Sequence, residues 1–174
     1  MTTALLLHGA GSTGWYWHRV TPLLESAGLT IVVPDLPVDD PDAALADYVD
    51  VAVAAVSDRG DDPVLVVAQS MAGLIAPVIA TRRPVAAMIL VAAMIPVPGE
   101  TGHDWWAATG HAGAQHQYLA SLGLGEADPF DPEVVFIHDL TADLTAESLH
   151  HVRNQSMTPF DLPSPIDAWP GVPT

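Results

Sequence analysis

The stretch Val64–Ala76 constrains this chain more than any other. Val64-Leu65-Val66-Val67-Ala68 is an unbroken run of aliphatic residues, the composition of a strand buried on both faces, as in parallel sheets. The apolar spacing becomes helical after Ser70, so Ser70 sits at a strand-to-helix turn. Ala68 and Ala72 flank it two residues away on either side. A serine can be held in a strained turn of this kind only if those flanking side chains are tiny. The pattern is Ala-x-Ser-x-Ala, where G-x-S-x-G is the usual form.

Around that stretch, strands and helices alternate. Ala4-Leu5-Leu6-Leu7 is a short buried strand ending at His8-Gly9-Ala10-Gly11-Ser12-Thr13-Gly14. Trp17, Val20, Leu24 and Ala27 fall on one helical face, Gly28 closes that helix, and Thr30-Ile31-Val32-Val33 is the next strand. Asp40-Pro41 reads as a helix start, with Leu45, Tyr48, Val49, Ala52 and Val56 at helical spacing behind it. The helix after Ser70 contains Pro77, where a kink is expected. Ala87-Met88-Ile89-Leu90-Val91 is the fourth strand. Such alternation specifies an α/β fold, a doubly wound parallel sheet with helices on both faces.

The pattern changes after Pro96-Val97-Pro98-Gly99. Residues 98–165 show helical pieces without strand alternation and are expected to form an inserted helical lid, since such folds place function in loops at the carboxyl ends of strands. A helix is expected from Thr145 through Val152, and Val134–Ile137 fits either a helical turn or a short strand. Residues 1–97 are then the first part of the core, and 166–174 a return towards the sheet.

Composition mainly excludes. The chain has 174 residues, 49% of them apolar, enough for one domain with a real core. Its 21 acidic and 5 basic residues give a formal charge of −16, the wrong sign for nucleic acid or an anionic membrane surface. Cysteine is absent, which removes disulfides and thiolate chemistry. No apolar run reaches the roughly 18 residues of a membrane span, and Met1-Thr2-Thr3-Ala4 carries no basic leader. A cytoplasmic protein is expected.

The first loop has two readings. Gly9-Ala10-Gly11-Ser12-Thr13-Gly14 satisfies G-x-G-x-x-G between a strand and a helix, and Asp35 ends the next strand. That combination suits a dinucleotide site. Against it, Trp15, Tyr16 and Trp17 crowd the point where the third glycine should let a helix pack closely. In the other reading the loop faces Ser70 and lends backbone amides to an oxyanion hole.

His8-Gly9-Ala10-Gly11, Gly14-Trp15-Tyr16-Trp17 and Pro22-Leu23-Leu24-Glu25-Ser26-Ala27-Gly28 resemble the α/β-hydrolase superfamily, nearest the branch of plant hydroxynitrile lyases, methylesterases and bacterial esterase-like relatives. Ala68–Gly73 falls at that family's nucleophile elbow, and Pro96–Glu100 where its cap begins. The resemblance implies a serine hydrolase of a small ester or related acyl substrate, with Ser70 as nucleophile. It also implies that the N–H groups of Ala10 and Met71 are the oxyanion donors. Gly9, Gly11, Trp15 and Gln69 are expected to line the substrate pocket; Trp17, Trp105 and Trp106 add apolar surface. Neither cofactor nor metal is expected, and the partner is a small-molecule substrate.

A serine hydroxyl needs a base, and the base an orienting acid. In this family both follow the serine on later strands, and the chain closes at Trp169–Thr174, the approach to such a strand. The sheet is therefore expected to be C-terminally incomplete, with the base and acid in a further segment or a second chain completing the sheet, and this chain alone inactive. His103, His111, His116, His138, His150 and His151 lie in the lid, where a solvent-facing role is the ordinary one. His8 is expected to brace the first loop. The rival class is a non-catalytic binding protein of the same fold.

Overall fold

A computed structural model of the protein describes residues 1–125, 127–128 and 131–174. Strands β1 (Thr3–Leu7), β2 (Thr30–Val32), β3 (Val64–Gln69) and β4 (Val85–Val91) form one sheet in the order β2-β1-β3-β4. All neighbours are parallel, with Leu5 opposite Val32 and Val66, and Val67 opposite Ile89. The chain steps from β1 to one side and then returns to add β3 on the other. Connections leaving β1 and β3 therefore diverge and open a crevice at their carboxyl ends, where open α/β sheets bind ligands.

The central strands β1 and β3 are apolar on both faces because both faces are covered. Leu5, Leu7, Val64, Val66, Ala68 and Met88 pack with Tyr48, Val49, Ala52 and Ile79 on one side. Ala4, Leu6 and Val67 pack with Trp17 on the other. Helix α2 (Leu45–Ala54) supplies the predicted stripe, and Leu45, Tyr48, Val49, Ala52 and Val56 are all buried.

Other expectations needed adjusting. The first helix divides into a 3-10 turn at Gly14–Trp17 and α1 at Thr21–Ser26. Trp17 is buried, whereas Val20 and Ala27 are exposed. Asp40 does not start α2. Its Oδ1 accepts from the Asp42 N–H (2.9 Å), a local side-chain turn, and α2 begins five residues later with the Asp47 carboxylate on the Ala44 N–H (2.8 Å). Pro77 produces no kink, because the chain runs as a 3-10 turn over Ser70–Leu74 and restarts as α3 (Ala76–Arg82) with the proline in its first turn. There its missing N–H has no intrahelical partner to lose.

Beyond β4 come α4 (Gly102–Thr109), α5 (His111–Ser121), α6 (Pro132–Val135), α7 (Ala142–His150) and α8 (Thr158–Asp161). Val134–Ile137 thus belongs to a helical turn, and the helix expected from Thr145 starts three residues earlier. Thr101 caps α4 by accepting from the Asp104 N–H (3.0 Å). Trp106 stacks on the buried Phe160 at 5.0 Å. The last residues return to the sheet, with the Met88 N–H donating to the Pro173 carbonyl (2.8 Å) and the Trp169 indole N–H to the Pro96 carbonyl (2.9 Å). Among the described residues no helix is long and apolar enough to cross a membrane.

Candidate active site

Ser70 follows the last residue of β3 and has φ +52°. Left-handed backbone costs an L-residue about 1–2 kcal/mol, so the fold must hold it there. It does so in two ways. Ala68 and Ala72 are fully buried and too small to obstruct the turn. The Ser70 carbonyl accepts from the Met94 N–H (2.9 Å), which ties the turn to the segment leaving β4. Gly73 permits that tie, since a Cβ there would strike the Met94 carbonyl and lie 2.9 Å from the Ala93 Cβ. The side chain of Ser70 is half-buried.

The loop after β1 lies against this turn. A Cβ added at Gly9 would stand 2.9 Å from the Ser70 Cβ and inside contact distance of the Gln69 side-chain oxygen. Gly9 and Gln69 therefore meet beside Ser70. The buried His8 shapes the loop. Its Nε2 accepts from the Leu36 N–H (2.9 Å), so its Nδ1 carries the proton and donates to the Gly9 carbonyl (2.9 Å). Burial lowers the imidazole pKa, outweighing the opposing effects of the Gly9 hydrogen bond and the Asp35 charge. A neutral brace results, as the sequence suggested.

In a trans peptide the C=O and N–H point in opposite directions. Holding the Gly9 carbonyl towards His8 therefore turns the Ala10 N–H the other way. That N–H has no hydrogen-bond partner among the described residues, and Ala10 is exposed. Met71 is buried, and its N–H lies in the first turn of the Ser70–Leu74 segment, where backbone donors have no intrahelical partner. The arrangement offers a half-buried hydroxyl carrier, an amide on the adjoining loop with no partner among the described residues, and the first turn of a helical segment.

The dinucleotide reading does not survive. Asp35, its ribose acid, accepts from the Gly14 N–H (2.7 Å) and closes the loop. The Gly11 N–H is taken by the Gln155 Oε1 (3.0 Å), and only a four-residue 3-10 turn follows the glycines. Two of the amides a pyrophosphate would need, those of Gly11 and Gly14, already have partners.

The tryptophans separate. Trp15 lies between two imidazoles, 4.0 Å from His18 and 4.5 Å from His151. Trp17 joins the core on the far face of the sheet, Trp106 stacks on Phe160, and Trp105 packs against the main core cluster. His103 pairs with Asp161 (3.0 Å), both half-exposed or more. Of these contacts, sequence reasoning had no signal for Met94, Gln155 or the His103–Asp161 pair, each joined across the fold.

Residues 4–174 match the model of the alpha/beta hydrolase family, and the chain belongs to that family. It is 35% identical over 103 residues to Methylesterase 7 of Arabidopsis thaliana, a match covering 53% of this chain and 40% of that relative. Among solved structures it resembles a methylesterase from Arabidopsis (TM-score 0.68, 17% identity, 98% of this chain and 73% of that one). It also resembles a pyrethroid hydrolase from Sphingobium faniae (TM-score 0.60, 21% identity, 96% and 73%). At these identities the structural matches speak for the fold. The resemblance seen in the sequence, to the α/β-hydrolases near the plant methylesterases, holds.

Proposed function

We propose that Ser70 is the nucleophile of an ester hydrolase acting on a small ester or related acyl substrate. The observation that carries this reading is the φ of +52° at Ser70, opposite Gly9 and the unpartnered Ala10 amide. Strain in a sparsely populated backbone region is kept where the fold over-determines it, characteristically at reacting residues. Ser70 Oγ attacks the carbonyl carbon, and the carbonyl π pair moves onto oxygen. The N–H groups of Ala10 and Met71 accept that charge as hydrogen-bond donors. Collapse expels the alkoxide, which takes a proton, and water then hydrolyses the acyl-serine. Gly9, Gly11, Gln69 and Trp15 shape the pocket, and residues 98–165 are its lid.

The Oγ proton needs a base. His8 is committed at both nitrogens, and His103 is paired with Asp161 at the surface. By the family resemblance the base and its acid belong to polypeptide C-terminal to Thr174 or to a chain that completes the sheet. Such polypeptide would also cover the exposed apolar side chains of Ile89 and Val91 on β4. The compartment fitting this reading is the cytoplasm.

The test is covalent labelling with a fluorophosphonate, located by peptide mass spectrometry. Oxyanion donors without a complete triad retain about 10³–10⁴-fold over water, so slow labelling at Ser70 is expected of this chain, abolished in Ser70→Ala. A folded chain that stays unlabelled would instead mark a binding protein of the same fold.

A further inference from the structure

Resting on the reading of Ser70 as nucleophile, we infer that Gln155 is a positioning residue that sets the shape of the oxyanion loop. Its carboxamide bridges that loop to the core. The Oε1 accepts from the Gly11 N–H (3.0 Å), while the Nε2 donates to the Ser156 carbonyl (2.7 Å) and the Tyr48 hydroxyl (3.3 Å). Tyr48 is fully buried in α2, so the anchor at the far end is fixed. Residues 151–157, between α7 and α8, form a strap over the loop, and two residues before Gln155 on it the Arg153 N–H donates to the Gly11 carbonyl (2.8 Å). The strap is itself docked, through the Ser156 N–H on the Val38 carbonyl (2.7 Å) and the Thr158 hydroxyl on the Pro41 carbonyl (2.8 Å).

Three successive peptide units of the loop are thereby pinned. His8 holds the first by the Gly9 carbonyl, Gln155 the second by the Gly11 N–H, and Arg153 the third by the Gly11 carbonyl. The Ala10 N–H belongs to the first of these units and has no hydrogen-bond partner among the described residues. Gly11 has φ +63°, and a Cβ there would lie 3.2 Å from the Arg153 carbonyl oxygen, so loop and strap are in close contact. Releasing the Gln155 pin frees rotation of the Ala10–Gly11 peptide, which leaves the adjoining Gly9–Ala10 unit, and the donor it carries, held by the His8 brace alone. The strap follows α7, and His151 at its start stacks on Trp15. Loop and helical segment thus share one anchor.

Gln155→Met keeps the length of the side chain and removes all three hydrogen bonds; Asn154→Ala, at an exposed neighbour, is the control. Two readouts are taken: amide hydrogen exchange at Gly11 by NMR, and the saturation kinetics of fluorophosphonate labelling at Ser70. Loss of one hydrogen bond predicts Gly11 exchange about tenfold faster. A donor misplaced by about 1 Å predicts a maximal labelling rate about 100-fold lower, with the half-saturating probe concentration unchanged because the donors act on developing charge. Gln155→Glu keeps an acceptor for Gly11 and is expected to restore slow exchange. If Gln155→Met labels at the wild-type rate, the inference falls, whatever happens to exchange. If it does not fold, Tyr48→Phe, which removes the outer anchor, must speed Gly11 exchange, and unchanged exchange overturns the inference. A wild-type chain that never labels refutes the nucleophile reading, and Gly11 exchange then decides the clamp separately.

Discussion

Replacing Gly9 by alanine adds one methyl group where the first loop touches the serine turn. The new Cβ would stand 2.9 Å from the Ser70 Cβ, about 0.5–1 Å closer than ordinary carbon–carbon contact allows. Gln69 can swing its flexible carboxamide aside. Ser70 cannot move as easily, because its carbonyl is tied to the Met94 N–H and its flanks, Ala68 and Ala72, are fully buried. The loop must yield, against the His8 brace on the Gly9 carbonyl. Overpacking of this kind costs about 1–3 kcal/mol, or a fall in Tm of roughly 2–4 °C per kcal/mol for a chain of this size. The consequence for chemistry is larger, since displacing the Ala10 donor by 0.5–1 Å predicts about a 100-fold loss in labelling rate. Differential scanning calorimetry and fluorophosphonate kinetics on the same sample separate the two effects. Wild-type labelling together with wild-type Tm in Gly9→Ala would refute the contact between loop and elbow.

Two further outcomes follow from the same geometry. Gly73→Ala drives a methyl group into the Met94 carbonyl, a backbone atom that cannot rotate away; we expect a loss of at least about 2 kcal/mol, read as a lower guanidinium midpoint at unchanged slope. The His8 imidazole has a folded pKa lowered by burial from its ordinary 6.5, so the unfolded chain binds its proton first. Its contribution is complete above pH 6.5 and is lost as pH falls towards the folded value, with a slope of at most about 1.4 kcal/mol per pH unit. His8→Leu should remove that slope in urea titrations between pH 6.5 and 5, and a slope retained in the variant would refute the assignment.

Much of the fold was legible because local rules sufficed. Leu45, Tyr48, Val49, Ala52 and Val56 announced the buried face of α2 by spacing alone. The aliphatic run at Val64–Ala68 announced a strand covered on both sides. Readings failed where a local alternative competed. Asp40 preferred a turn through its own neighbour's amide to capping a helix. Pro77 began a new helix after the 3-10 turn instead of bending an existing one.

What the letters determined is the succession of strands and helices and a serine with room for a strained turn, because periodicity and side-chain size act between neighbours. Tertiary structure alone decided which partner each polar group took. Gly11 and Gln155 lie 144 residues apart, and His8 reaches Leu36 across 28. Asp35 became a loop closure and not a ribose ligand because the sheet brought it to the Gly14 amide. Such pairings depend on the path of the chain through space, and hydrogen-bonding capacity is the same letter by letter whichever partner the fold supplies.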